Sequence, residues 1–279
     1  MNVTTFTIGT VLGSFSKGIK GAVSINFGIS GGANCATSCR HHPTHYEGAE
    51  SNDGKCYAVI VENRADRVQL KNKLERHEQL PASQIIGRAL IELSRLALHG
   101  KKLPPWVRIS TNGAVPSPAA AVADRRFIPL LRELLAFCKT NAIPVHFPVE
   151  TAEKAAFYSD KCGDLVAVRE SIQTHDMTPC SIGAHAIPNG AASFTAGESV
   201  GKGSNKRKRI LAAAVSAAAA WSARTGRKTI VCPAVRVSFL SRYKNGKTRD
   251  ENRSWRESAK CGSCTACSMS HVDIVYPAH

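Results

Sequence analysis

The chain has 279 residues, 43% of them hydrophobic and 6% aromatic, enough for one large domain with a substantial core or for two small ones. No run of about 18 apolar residues occurs, so no membrane span is expected. The opening Met1-Asn-Val-Thr-Thr-Phe-Thr-Ile lacks the basic stretch and apolar core of a secretory signal. With 37 Lys and Arg against 21 Asp and Glu, the formal charge is +16, an excess that favours a polyanionic partner because each neutralised phosphate releases condensed counterions. Ten cysteines without a secretory signal argue against a disulfide scaffold. They predict reduced thiols, some of them metal-bound, in a reducing cytoplasm.

Taken in order, several segments read as strand followed by helix. Residues 23–27 alternate as a short strand and run into Gly28-Ile-Ser-Gly31-Gly32. Residues 83–98 repeat apolar positions at helical spacing, with Gly100 as a stop. Residues 106–110 are strand-like, and 126–139 form a second amphipathic helix with Leu130, Leu131, Leu134, Leu135 and Phe137 on one side. A strand over 144–149 leads to Thr151, which caps a helix to about residue 159. A strand over 164–168, a helix over 210–224 and a strand over 228–232 complete the pattern, with long loops at 46–55 and 184–205.

Short strands alternating with helices predict a parallel sheet. At least five strand candidates without a dinucleotide fingerprint favour an α/β protein built as a full or partial (β/α)8-like barrel; a doubly wound sheet is the runner-up. The expected division is a barrel over residues 1–259 and a C-terminal cysteine-rich metal knuckle over 260–279. No Walker loop, GxSxG elbow or HExxH is present.

The strongest chemical signal is that knuckle, Cys261-Gly-Ser-Cys264-Thr-Ala-Cys267, followed by His271 and His279. Two-residue spacing lets three thiolates from one tight loop converge on an ion, and a fourth ligand closes the tetrahedron. Zinc and an iron–sulfur cluster are both compatible with it. A second set follows the first barrel strand: Cys35-Ala-Thr-Ser-Cys39, then Cys56, with His41, His42 and His45 between. A cluster loop in that place is the layout of radical SAM enzymes. Their CxxxCxxC is matched by Cys35 and Cys39, but the next cysteine is distant; zinc on Cys35, Cys39, Cys56 and a histidine is equally compatible. Cys138 belongs to a helix core, and Cys162, Cys180 and Cys232 stand outside ligand spacing.

Barrel chemistry sits at the carboxyl ends of strands. There the sequence places Ser110-Thr-Asn112, then Glu150, then Arg169-Glu170-Ser171, then Cys232. Two carboxylates facing one pocket, Glu150 and Glu170, suit chemistry at a sugar C1′, where one attacks or stabilises an oxocarbenium-like centre and the other handles a proton. The basic run Lys206-Arg207-Lys208-Arg209 before an alanine-rich helix, and seven further Lys and Arg between 236 and 256, form a stretch suited to a nucleic-acid backbone.

With these residues in view, the chain resembles phage proteins that carry Cys-Tyr-Ala near the N-terminus and Cys-Gly-x-Cys-x-x-Cys near the C-terminus. The matching stretches are 35–58, 107–110, 144–150, 163–171, 225–234 and 261–279. Within that group it is similar to the DNA-guanine transglycosylases, relatives of the tRNA-guanine transglycosylases. The resemblance implies a barrel enzyme that exchanges guanine in DNA for a 7-deazaguanine such as preQ0 and so shields phage DNA from host restriction. It further implies Zn2+ on Cys261, Cys264, Cys267 and His279, although the family knuckle is spaced CxCxxC. DNA would lie along Lys206, Arg207, Lys208 and Arg209, and a flipped base would meet Ser110, Asn112 and Arg169. The family's aspartate nucleophile has no counterpart at a strand end here, so position alone assigns Glu150 and Glu170. Two other expectations stand beside this one: a radical SAM-like iron–sulfur enzyme, and a non-catalytic zinc-dependent DNA-binding protein.

Overall fold

The computed structural model describes residues 12–14, 22–29, 31–35, 37, 68–110, 114–172, 191–196, 206–232, 266–269 and 271–277. These form eight strands: β1 (Leu12–Ser14), β2 (Val23–Ile25), β3 (Val107–Ile109), β4 (Val145–Val149), β5 (Val168–Ile172), β6 (Ala191–Ala196), β7 (Lys228–Val231) and β8 (Val272–Pro277). The helices are α1 (Val68–Glu78), α2 (Ala82–Leu98), α3 (Pro118–Ala123), α4 (Phe127–Thr140), α5 (Ala152–Cys162) and α6 (Lys206–Thr225), with a 3-10 turn at Ala266–Ser268.

The strands join one sheet in the order β1-β2-β3-β4-β5-β6-β8-β7. Only β1 runs antiparallel to its neighbour; every pairing from β2 to β7 is parallel. The expected α/β class with a parallel sheet is therefore observed. Among the described residues β1 and β7 lie at opposite edges, so closure into a barrel is not shown. The expected boundary at 259/260 cuts off a segment that the sheet incorporates. β8 lies between β6 and β7, in the interior of the sheet, because Val272 to Val275 pair with Lys228 to Val231 while Ile274 to Pro277 pair with Ser193 to Ala196.

Side chains alternate across a strand, and residues paired in a parallel register share a face. One face is mainly apolar and carries the helices. Ile25, Ile109, Phe147, Val149 and Val168 pack there with Ile86 and Leu93 of α2, Leu131 and Leu135 of α4, and Tyr158 of α5. Tyr158 keeps its hydroxyl satisfied by donating to the Pro116 carbonyl at 2.8 Å. Farther along the same face, α6 presents Ala214, Ala217, Ala218 and Trp221, one helical stripe, to Ala192, Phe194 and Val275. Gly226, at φ 67°, ends that helix in a conformation that favours glycine and returns the chain into β7.

The opposite face is unlike it. Its positions on β2 to β5 are Ser24, Arg108, His146, Pro148, Arg169 and Ser171, as the registers Ser24 with Arg108, Arg108 with His146 and Pro148 with Arg169 require. Toward β8 this face turns apolar, where Val272 and Ile274 pack with Ile230, Cys232, Ala266 and Met269.

Candidate active-site rim

At the carboxyl end of β2 the chain turns tightly over the described residues 26–29 and 31–35. Its hydrogen bonds are local and specific. Asn34 Nδ2 donates to the Phe27 carbonyl at 3.2 Å, the Cys35 amide donates to the Gly32 carbonyl at 2.9 Å, and the Gly31 amide donates to Cys35 Sγ at 3.2 Å. Helix α1 anchors the loop from outside. His77 Nδ1 donates to the Asn26 carbonyl at 3.0 Å, and the Glu78 carboxylate accepts from the Ala33 amide at 2.7 Å. A Cβ at Gly32 would fall 1.9 Å from that carboxylate, so the glycine is what lets Glu78 reach the backbone.

The rim is closed by one lysine that sequence reasoning missed. Lys154, on the first turns of α5, is 4% exposed. Its ammonium donates to the Asn34 carbonyl at 2.8 Å and the Val115 carbonyl at 2.7 Å, and pairs with Glu150. The loops that follow β2, β3 and β4 thereby share a single buried cation. The helix starts where the sequence placed it: Thr151 caps α5 by accepting from the Lys154 amide at 3.2 Å. A Glu followed four residues later by Lys reads in sequence as an ordinary surface pair; burial of the lysine tip needs the loops at 34 and 115, which no local pattern reveals.

Ser110 follows β3 in the left-handed region at φ 61°, where non-glycine residues are uncommon and cluster at functional sites. Its amide donates to the Ile25 carbonyl at 2.7 Å and its carbonyl accepts from Arg108 Nε at 3.3 Å, which binds this turn to β2 and to the sheet face opposite the helices. Asn112 lies outside the described residues.

The two glutamates do not share one pocket. Glu170 pairs in register with Val149 and Ala192, both packed toward helices, so it faces the helix side and is buried there. Glu150, one position past Val149, belongs to the rim and is committed to Lys154. The expected acid–base pair across a sugar is therefore not brought together, because the strand pleat turns position 170 toward the helix-bearing face.

Arg169 is fully buried, and its guanidinium is committed to the backbone. It donates to the carbonyls of Ala192 at 2.8 Å, Ala266 at 3.1 Å and Met269 at 3.1 Å. Expected to bind substrate, it clasps the 3-10 turn Ala266–Ser268 onto the sheet face opposite the helices. On that face His146 is buried, and burial together with the charges of Arg108 and Arg169 holds its pKa well below the usual histidine value, so the imidazole is neutral.

Among the remaining expectations, the thiols of Cys138 and Cys162 are pushed up to about 12 by burial, which makes them inert core groups. Cys39, Cys56, Cys261, Cys264 and His279 lie outside the described residues, as do residues 236–256. Lys206, Arg207 and Lys208 fall on the first turn of α6, whose described tip residue Arg209 is exposed. No group of three or more metal-ligating side chains occurs among the described residues, and no described helix is long and apolar enough to cross a membrane.

Comparison with family models, curated proteins and solved structures gives no match to this chain.

Proposed function

We propose that this chain is a metal-dependent enzyme that modifies nucleic acid, with its chemistry at the carboxyl rim of a partial barrel and an iron–sulfur cluster on the loop after β2. The observation that carries the proposal is the construction of that loop. Cys35 stands at the carboxyl end of the first parallel strand, its sulfur accepts an amide hydrogen bond, and α1 and Lys154 hold the loop from two sides. Amide hydrogen bonds to sulfur are among the protein's means of tuning cysteine-ligated centres. Cys35 and Cys39 keep the three-residue gap of a cluster loop, whereas Cys56, the next cysteine, is more distant than CxxxCxxC has it. Such a cluster, when bound, supplies one-electron chemistry. This chain's residues hold the loop, and the +16 charge with its basic run at 206–209 attracts the polyanion. Sequential parallel strands with helices on one face support the partial barrel, since right-handed crossovers in one direction leave the other face to be covered by curvature or by another segment. The C-terminal cysteines form a second, structural metal centre in this proposal, and the reduced thiols suit a cytoplasmic setting.

The test is anaerobic purification of the full chain. A brown protein absorbing near about 400 nm that loses this colour in part in Cys35→Ala is the expected result. A colourless protein loaded only with zinc overturns the rim cluster.

A second proposal, base exchange of guanine in DNA for a 7-deazaguanine, is favoured by Glu150, a carboxylate on the same rim and tied to the same loops. Nucleoside mass spectrometry of DNA from cells expressing the chain, supplied with preQ0, would then find a 7-deazaguanine that Glu150→Gln abolishes. Unmodified guanine throughout removes this reading.

A further inference from the structure

Helix α2 carries two stripes. The inward one, with Ile85, Ile86, Ala89 and Leu93, is buried in the main core. The outward one is Gln84, Arg88, Ile91, Arg95 and Leu98, spaced alternately four and three residues apart. That is the seam of about 3.5 residues by which one helix pairs with another, with Arg88 and Arg95 at one of its two positions and Gln84, Ile91 and Leu98 at the other. The solvent side of a helix packed on a sheet is ordinarily polar, yet Ile91 is 51% exposed and Leu98 82%. Val122 of α3, 64% exposed, stands near the start of the same helix, because Asp124, two residues on, accepts from the Ser83 amide at 2.8 Å. Three of the four exposed large apolar side chains among the described residues thus belong to one surface. Single exposed apolar residues are ordinary; a row of them along one seam marks a contact surface.

The charge of that surface has one sign. Arg95 lies on the seam, Lys101 and Lys102 continue it past the end of α2, and Arg125 and Arg126 flank its start; all five are exposed. The two acids between residues 82 and 126 do not offset them, since Glu92 is buried on the inward side and Asp124 accepts from the Ser83 amide.

We propose that the outward stripe of α2 docks an acidic amphipathic helix of a partner protein. Ile91 and Leu98 would bury against apolar residues of that helix, and Arg95 with the lysines past Leu98 would face its carboxylates. Charge decides against a second copy of this chain, which would bring the same cations to the same seam on top of a +16 net charge. The apolar positions decide against nucleic acid, whose phosphate backbone gains nothing from Ile91 and Leu98.

A fluorescein-labelled synthetic helix of three heptads, with Glu at each a position and Leu at each d position, is the probe, and its anisotropy with the purified full chain is the readout. Two apolar anchors and the paired charges should hold it at a Kd below about 100 μM. Ile91→Ser and Leu98→Ser should each weaken binding about tenfold. Arg95→Glu should weaken it to a similar extent, and that loss should be recovered when Lys replaces Glu in the probe. The three positions are exposed, and circular dichroism should show each variant folded as the parent chain is. A weaker Kd for the parent chain, or one that the three substitutions leave unmoved, overturns the proposal. A concentration-dependent dimer in sedimentation that Leu98→Ser abolishes makes the occupant a second copy and overturns it. A DNA duplex that displaces the probe assigns the surface to nucleic acid and overturns it likewise, as do phosphatidylserine vesicles that bind the parent chain but not Leu98→Ser.

Discussion

In each half of the sheet a buried charge gathers several segments, and the two halves differ in how that charge is answered. In the β6–β8 half the charge is Asp273, completely buried on the helix face. Its carboxylate accepts from the Ala192 amide at 2.8 Å, from Trp221 Nε1 at 2.7 Å, and from Arg227 Nε at 2.9 Å and Nη2 at 3.1 Å. In the β2–β5 half it is Lys154, answered by Glu150 and by two backbone carbonyls. Asp273 thus unites β6, α6 and the turn that follows α6 inside the core, whereas Lys154 unites three loops at the rim. A buried ion persists only where geometry satisfies it fully. At Asp273 that satisfaction holds the sheet together. At Lys154 it holds a candidate site, with Glu150 still 16% exposed.

The largest effect is expected at the core charge. Asp273→Ala strands the Trp221 indole, the Ala192 amide and the Arg227 guanidinium in one stroke, and removal of one partner of a buried pair costs about 3–5 kcal/mol. Urea denaturation followed by Trp fluorescence measures it, and a loss below about 1 kcal/mol would show that Asp273 does not organise this half. Lys154→Met should cost less, about 2 kcal/mol, because the released carboxylate of Glu150 can reach water while the carbonyls of Asn34 and Val115 lose a charged donor. Its signature is local: amide exchange at residues 31–35 should accelerate while β6 and β8 stay protected. Global unfolding in step with Asp273→Ala would erase the distinction between the halves.

These same two residues mark how far the sequence could be read. Helices with clear periodicity, over 83–98 and 126–139, appear as α2 (Ala82–Leu98) and α4 (Phe127–Thr140) within a few residues. The strands 106–110 and 144–149 and the Thr151 cap are likewise present in β3, β4 and α5. What escaped notice has its cause in tertiary partners. The strand expected over 164–168 is instead β5, Val168–Ile172. Its apolar run forms the turn after α5, and the strand proper contains Arg169 and Glu170, polar residues that only long-range contacts permit in a buried strand. β8 holds Asp273, a poor strand residue until Trp221 and Arg227 arrive from α6 and the turn that follows it. β6 reads Ala-Ala-Ser-Phe-Thr-Ala, too weakly apolar to stand out from the loop expected over 184–205. The cysteine loop and Glu150 could be placed on the rim from sequence. Lys154 and the use of Arg169 to hold the 3-10 turn could not, since Lys154 depends on residues 39 and 120 positions away and Arg169 on one 97 positions away.

The smallest effect separates the rim's charge from the helix that delivers it. Thr151 accepts from the Lys154 amide, so the residue whose ammonium gathers the loops also has its backbone held by the cap. Thr151→Ala removes one accepting hydroxyl at the start of α5 and should cost about 1 kcal/mol, with Thr151→Ser restoring most of it. If the cap only stabilises α5, exchange at residues 31–35 stays as slow as in the parent chain, because the Lys154 side chain keeps its three partners. If instead the cap sets where the ammonium sits, those amides open along with the first turn of α5, and Thr151→Ala becomes a weaker copy of Lys154→Met. The contacts favour the first outcome: Lys154 Nζ is fixed by carbonyls of two other segments at 2.7 and 2.8 Å, which hold it independently of the helix terminus.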